Sequence, residues 1–179
     1  MPRVESYLNY FHYIAGKANN RKFGGDSINA LDTLRQEESD MTRIAKCHCE
    51  ALKVSCEGEP KGTTMCHCEF CQRRTGSSFN IGTWFKEENV TVTGETKEYV
   101  RVGEQGVTIT FHFCPTCGSN VYWEFPEYFP GQTGVAVGCF TDSEFPAPNM
   151  SFYGKRRHKW VTLPSDMPSF LEGGGSEQE

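Results

Sequence analysis

The sequence lacks the features that mark several classes of protein. No apolar run approaches the roughly 18 residues that a membrane-spanning helix needs. Tyr, Asn and His residues interrupt the first segment, so it lacks the apolar core of a secretory signal. The net charge of −5 is small and negative, which argues against a broad nucleic-acid-binding surface. These absences predict a cytoplasmic protein that contacts no membrane, and they disfavour a nucleic-acid partner.

Cysteine, by contrast, is abundant, with nine in 179 residues. Small secreted proteins use such residues as disulfides, whereas cytosolic proteins use them to bind metal. Seven of the nine fall in three tight clusters: Cys47 and Cys49; Cys66, Cys68 and Cys71; Cys114 and Cys117. Because no export signal precedes them, these spacings favour metal binding in a reduced compartment.

The central cluster places three thiols within six residues, at Cys66, Cys68 and Cys71. Three neighbouring cysteines cannot all pair with one another as disulfides. The simplest account is three thiolates around one ion. Zinc takes four ligands, and a site with three protein ligands keeps one position for water or substrate. We therefore predict that these three cysteines form an open, catalytic metal site.

The other two clusters predict a second, closed site. Cys47 and Cys49 would share one face of a strand, so both can reach the same ion. The segment 114–118 is a turn, because Pro115 presets φ and Gly118 tolerates positive φ. Its two sulfurs, Cys114 and Cys117, complete a four-thiolate site of the structural kind, with iron as the minor alternative to zinc.

A fourth ligand would close the central site as well. The sequence offers five candidates: His48, His67, His112, Cys56 and Cys139. Both cysteines continue an apolar alternation, which is typical of small core residues. His48 and His67 each lie between two ligand cysteines and would point away from the ion in an extended chain. We therefore expect the site to be open.

The segments around the clusters suggest a mainly β domain. Aromatic residues make up 13% of the chain, with 18 Gly and 9 Pro between short alternating segments. We predict about eight to ten strands, antiparallel because their connections are short. The most regular candidate covers 107–113, and 158–163 is the last. Residues 1–40 form an N-terminal extension, disordered or helical; 41–171 form the zinc-binding β domain; 172–179 form a disordered tail.

The same cysteines carry a resemblance to a known family. The segments 47–49, 66–77 and 113–118 resemble the glutathione-dependent formaldehyde-activating enzyme family, which includes centromere protein V. The likeness covers about residues 43–165. It implies an antiparallel, zinc-stapled β-sandwich or coiled-sheet fold, shared with methionine sulfoxide reductase B and translationally controlled tumour protein. It also implies two zinc ions per chain. The four cysteines Cys47, Cys49, Cys114 and Cys117 would hold a structural ion, and the three cysteines Cys66, Cys68 and Cys71 would hold a catalytic one.

The resemblance implies carbon–sulfur lyase chemistry as well, of the S-(hydroxymethyl)glutathione synthase type. Glutathione and formaldehyde, or a similar thiol and aldehyde, would be the substrates. The residue chemistry agrees, because a thiol that coordinates zinc is deprotonated, and a thiolate is the nucleophilic form. Arg73 and Arg74 suit the two carboxylates of glutathione, and Ser77 offers a hydroxyl donor beside them.

Two other functions are compatible with the sequence. A non-catalytic zinc module that binds protein or nucleic acid would use the basic run 155–159 and the N-terminal extension 1–40 as contact surfaces. A thiol redox enzyme would need a reactive cysteine outside both metal groups. Cys56 and Cys139 have the sequence context of buried residues, so this function has less support.

Overall fold

A computed structural model describes residues 41–103, 106–174 and 176–179. The predicted extension over residues 1–40, disordered or helical, lies outside these residues. Within them, no helix is long and apolar enough to cross a membrane. The described residues contain these elements in chain order: β1 (Thr42–Lys46), β2 (Lys53–Glu57), β3 (Gly62–Cys66), α1 (Glu69–Thr75), β4 (Asn80–Lys86), β5 (Val90–Thr93), β6 (Lys97–Val102), β7 (Thr108–Phe113), β8 (Asn120–Glu124), β9 (Gln132–Ala136) and β10 (Met150–Phe152).

The strands form two sheets. The smaller sheet has the order β1-β2-β5, and the larger has the order β10-β3-β4-β9-β8-β7-β6. All of these pairs are antiparallel except β10 with β3, where Met150 lies opposite Thr64 in a parallel pair. The predicted mainly β class is therefore confirmed, with one parallel strand added. The likeness to the folds of methionine sulfoxide reductase B and translationally controlled tumour protein stays a prediction.

The hydrophobic core joins the two sheets. Val54 of the smaller sheet and Leu52, just before β2, cluster with Phe85 and Val135 of the larger sheet, and each is at most 1% exposed. The alternation of β2 also buries Cys56 in this cluster, as its sequence context predicts. Burial raises the pKa of the Cys56 thiol to about 12, which keeps it protonated and unreactive near neutral pH.

The opposite face of the larger sheet carries a row of aromatic residues. The row crosses four neighbouring strands in the order β7, β8, β9 and β4. Its residues lie directly opposite one another and are three aromatic residues and one glycine: Phe111, Trp123, Gly134 and Trp84. The Trp84 and Trp123 rings meet edge to face, with centroids 5.9 Å apart. The indole of Trp123 lies against the backbone of Gly134, where no side chain separates them. This row is the surface on which α1 places one of its arginines.

Gly134 should tolerate no side chain for this reason. A Cβ atom there would lie 2.2 Å from Nε1 of Trp123, so the buried indole would have to move. We expect Gly134→Ala to lower the free energy of unfolding by about 1–3 kcal/mol. Gly138→Ala is the matched control, because nothing lies within 4 Å of its Cβ position. Equal denaturation midpoints for the two variants would contradict this packing.

The C-terminal part differs from the sequence prediction. Residues 158–163 form no strand; a 3-10 turn over Gly154–Arg156 precedes them. The last residues, expected to be a disordered tail, have hydrogen bonds in the structure: the Tyr153 amide donates to the Glu172 carbonyl at 3.0 Å, and the Glu179 amide to the Ser169 carbonyl at 2.8 Å. The predicted boundaries at 41, 171 and 172 stay predictions.

Candidate metal centres

The central cysteine group is built where a strand turns into a helix. Cys66 ends β3, Cys68 is the N-cap of α1, and Cys71 lies in its first turn. The backbone amide of Cys71 donates to the sulfur of Cys68 at 3.3 Å, so a thiol takes the role of the capping oxygen. The three Sγ atoms all lie within 4.8 Å of one another. The spacing of the cysteines thus follows from strand end, cap and first helical turn.

The three thiols share charge unequally. Hydrogen bonds from Cys66 and Cys71 lower the pKa of the Cys68 thiol far below its ordinary value. The hydrogen bond to Cys68, the one to Cys71 and burial raise the pKa of Cys66 in turn. One thiolate is thereby stabilised by two neighbouring thiols. A soft divalent cation can replace the remaining protons, which makes this donor set suitable for zinc.

No fourth protein ligand joins this group within residues 41–103, 106–174 and 176–179. His67, which lies between two of the cysteines, is fully buried and packs its ring edge-on against Phe79, with centroids 5.7 Å apart. Burial lowers the pKa of this imidazole and favours its neutral form. The other candidate ligands, His48, His112, Cys56 and Cys139, also lie outside the group.

Gln72 connects the cysteine turn, residues 66–71, to the C-terminal segment through hydrogen bonds. Its side-chain amide donates to the carbonyl of His67 at 2.7 Å and to the carbonyl of Arg156 at 3.2 Å. Its amide oxygen lies 3.3 Å from Nε2 of His158. The guanidinium of Arg156 also pairs with Glu69 at the start of α1. This network holds the backbone between two of the candidate ligands, and no sequence pattern points to it.

The second group brings together Cys47, Cys49, Cys114 and Cys117, all within 4.8 Å. The sulfur of Cys49 lies 3.7 Å from that of Cys114, across 65 residues of sequence. Cys47 and Cys49 do not lie on a strand as predicted, because β1 ends at Lys46 and the chain turns there.

The two turns present their sulfurs in a similar way. The amide of Glu50 donates to the carbonyl of Cys47 at 3.0 Å, and the amide of Gly118 donates to that of Cys114 at 2.9 Å. Gly118 has φ 74°, as its place in the predicted turn requires. The Leu52 amide also donates to the Cys47 sulfur at 3.2 Å. Four such sulfurs fit a closed tetrahedral zinc site.

Disulfides do not explain either group. All nine cysteines are free thiols. The sulfurs of Cys47 and Cys49 lie 3.6 Å apart, whereas a disulfide bond is about 2.05 Å long. The separation is instead typical of sulfurs that share one metal ion.

The three predicted substrate-binding residues lie in different surroundings. Arg73 is exposed and pairs with Glu69 at 3.1 Å along the helix. Arg74 is half-buried, and its guanidinium lies 4.9 Å from the ring centroid of Phe111 and 4.8 Å from that of Trp123. Ser77 is exposed just after the helix. The structure therefore brings Arg74, and neither of the others, into an aromatic environment.

The basic run 155–159 carries less free charge than its sequence suggests. Lys155 pairs with Glu172 at 3.0 Å, Arg157 pairs with Glu179 at 3.0 Å, and Arg156 pairs with Glu69. These contacts neutralise most of the run. They weaken the case for a nucleic-acid surface, which needs clustered and unpaired cations.

Two comparisons relate the chain to known proteins. The family model described as glutathione-dependent formaldehyde-activating enzyme matches residues 42–156, a range that contains both cysteine groups and Arg74. A crystal structure of a Rhodobacter sphaeroides protein is similar at 25% sequence identity with a TM-score of 0.43. That similarity covers 59% of this chain and 91% of the other.

Proposed function

Because the chain belongs to the glutathione-dependent formaldehyde-activating enzyme family, we propose that it is a zinc-dependent carbon–sulfur lyase of the S-(hydroxymethyl)glutathione synthase type. It reversibly joins a glutathione-like thiol to a formaldehyde-like aldehyde. The observation that carries the proposal is the group of three sulfurs with no fourth protein ligand in the described residues. A closed group would have left no place for a substrate.

The proposal assigns one zinc ion to each cysteine group. Cys47, Cys49, Cys114 and Cys117 supply four sulfurs for a structural ion. Cys66, Cys68 and Cys71 supply three for a catalytic one. When bound there, zinc would lower the pKa of a substrate thiol that takes the remaining position, and so generate a thiolate near neutral pH.

The chain's own residues then have distinct tasks. The cysteine turn fixes the position of the reacting sulfur, because its backbone is held by the cap of α1 and by Gln72. In the joining step the thiol loses its proton to solvent, and the thiolate sulfur forms a bond to the carbonyl carbon. The carbon–oxygen π bond breaks, and the oxygen takes a proton from water. Arg73 and Ser77 are the proposed contacts for the rest of the substrate, and Arg74 is the proposed contact for its reacting end.

Exchange spectroscopy tests this function. NMR of glutathione with ¹³C-formaldehyde resolves the free aldehyde and the thiol adduct, and their interconversion rate can be measured. The proposal predicts a rate that rises in proportion to the concentration of zinc-loaded protein. A rate unchanged by protein would reject the lyase and favour the second candidate, a non-catalytic zinc module for protein or nucleic acid.

Gln72 should affect the open zinc site selectively. Gln72→Ala removes both hydrogen bonds to the carbonyls of His67 and Arg156 but keeps a helix-forming residue. We expect zinc affinity at the three-cysteine site to fall about 10–100-fold, as for other outer-shell partners of metal ligands. Competition with a chromophoric chelator measures this loss of affinity. The zinc affinity of the four-cysteine site should stay unchanged.

The control for this prediction is Lys86→Ala, since Lys86 pairs with Glu88 at 2.9 Å in another part of the fold. Its zinc affinities should equal those of the wild type. Equal affinity of Gln72→Ala and wild type at both sites would show that the Gln72 bonds do not organise the cysteine turn.

A further inference from the structure

Arg74 is a half-buried cation without an anionic partner. Within the described residues, no carboxylate lies within 4.0 Å of its guanidinium. Arg43, by comparison, pairs with Glu59 at 2.9 Å although it also lies over an aromatic ring. Removing a charge from water is costly unless an opposite charge compensates. The half-buried charge of Arg74 is therefore not offset by a carboxylate of the described residues.

The position of this guanidinium is fixed by neutral groups. The rings of Phe111 and Trp123 lie 4.9 and 4.8 Å away, and one guanidinium nitrogen donates to the side-chain oxygen of Asn120. Asn120 is fixed in turn, because its own amide donates to the His112 carbonyl at 2.8 Å. The Nε atom of Arg74 is buried and has no hydrogen-bond partner. The charge is held rigidly but is not neutralised.

The open cysteine site lies on the same side of α1. Arg74 follows Cys71 by three residues, and residues at this spacing are neighbours on a helix surface. Arg73, one residue earlier, instead meets Glu69. Among the two arginines, only Arg74 therefore combines proximity to the sulfurs with an uncompensated charge.

Resting on the lyase function proposed above, we propose that Arg74 is the fixed counter-cation of the Cys66, Cys68 and Cys71 site. With zinc bound, the three thiolates would give the site a net charge of −1, and a substrate thiolate would make it −2. When sulfur attacks the aldehyde carbon, the π electrons move to oxygen, and a negative charge develops there before a proton arrives from water. Arg74 offsets this charge by electrostatic attraction, which a pre-fixed cation provides without reorganisation.

This role differs from binding a substrate carboxylate. A carboxylate anchor would matter for glutathione and would not matter for a thiol that has no carboxylate. A counter-cation of the sulfur site would matter for both. Glutathione and its diethyl ester share the reacting thiol and the peptide chain but differ in their two carboxylates, so they separate the roles.

The test compares wild type, Arg74→Gln and Arg74→Lys with these two thiols. We expect Arg74→Gln to lower kcat/KM for formaldehyde exchange about 10–100-fold with glutathione and by a similar factor with the diester. Most of the loss should be in kcat, and Arg74→Lys should recover part of it because the charge returns. The matched control is Arg43→Gln, which should leave exchange with both thiols unchanged.

A second readout uses no turnover. Calorimetric titration of each thiol into the zinc-loaded protein, without aldehyde, should show weaker binding of both thiols to Arg74→Gln. This readout separates the two hypotheses: wild type that binds thiols without catalysing exchange rejects the lyase, and binding that depends on Arg74 still supports the counter-cation.

Three results would overturn the proposal. Loss confined to glutathione would make Arg74 a carboxylate anchor. Failure of the wild type to bind the diester would mean that carboxylate recognition decides binding. Wild-type kinetics and binding in Arg74→Gln, with its zinc content intact, would remove any role for this charge.

Discussion

Replacing Cys71 with serine should abolish formaldehyde–glutathione exchange and leave one zinc ion per chain. Cys71 supplies one of three sulfurs, and its amide donates to the sulfur of Cys68, the N-cap of α1. A serine hydroxyl is far less acidic than a thiol and is a poor zinc ligand, so only two sulfurs would remain. Exchange NMR should give the rate of the uncatalysed reaction, and metal analysis should show the loss of one zinc.

The control for this prediction is Cys139→Ser. Cys139 is half-buried beside the core and belongs to neither cysteine group. This variant should keep both zinc ions and most of the activity. Undiminished exchange in Cys71→Ser with a single zinc would refute the catalytic role of the three-cysteine site.

Cys114→Ser should destabilise the whole domain. Cys114 is 1% exposed, lies in the core cluster, and contacts Cys49 across 65 residues of sequence. Its loss opens the four-sulfur site and leaves a buried hydroxyl among apolar groups. The binding energy of a structural zinc is folding energy, so several kcal/mol should be lost. Domains have only about 5–15 kcal/mol of stability in total, so the variant should be largely unfolded at 37 °C.

Circular dichroism and chemical denaturation measure this effect. Chelation of zinc from the wild type should lower the denaturation midpoint in the same way, whereas Cys114→Ser should respond little to the chelator. Cys71→Ser serves as the comparison, because it removes a sulfur from the other group and should lower the midpoint much less than Cys114→Ser does. Equal midpoints for Cys114→Ser and wild type would contradict a structural role for the second group.

Local sequence was enough to identify the cysteine groups. The close spacing of Cys66, Cys68 and Cys71 is a property of a few consecutive residues. The turn at Cys114 is predicted by two residues that favour turns, Pro115 and Gly118. The pairing of distant Cys47 with Cys114 followed from counting ligands for a tetrahedral ion. In each case the chemistry of one donor type restricted the possible arrangements.

Three secondary-structure elements near the open site have no clear pattern in the amino-acid sequence that predicts them. β3 has the sequence Gly-Thr-Thr-Met-Cys, which shows no apolar alternation although Thr63 is buried. α1 spans seven residues, too few for a helical hydrophobic period, and it contains no buried residue. β10 spans three residues and is held by parallel pairing with β3, a long-range contact. Tertiary contacts, not local pattern, determine these elements.

The predicted strand over 158–163 was wrong for a related reason. Its alternating residues include His158 and Trp160, whose rings stack on each other with centroids 5.4 Å apart. His158 also contacts Gln72 of α1. His158 therefore contacts the cysteine helix through its side chain, and the backbone of the segment joins no sheet. The environment of Arg74 could not be predicted from local sequence for the same reason, because its neighbours Phe111, Asn120 and Trp123 lie far from Arg74 along the chain.

Zinc X-ray absorption tests the central claim most directly, because it counts the sulfurs around the metal. Four cysteines at one ion and three at the other give seven sulfurs for two ions, an average of 3.5 at about 2.3 Å, with the balance from oxygen or nitrogen. Adding glutathione should raise the average to 4, while Cys71→Ser should show no such increase. An average of 4 before any thiol is added, or a value that glutathione leaves unchanged, would contradict an open site that binds the substrate sulfur.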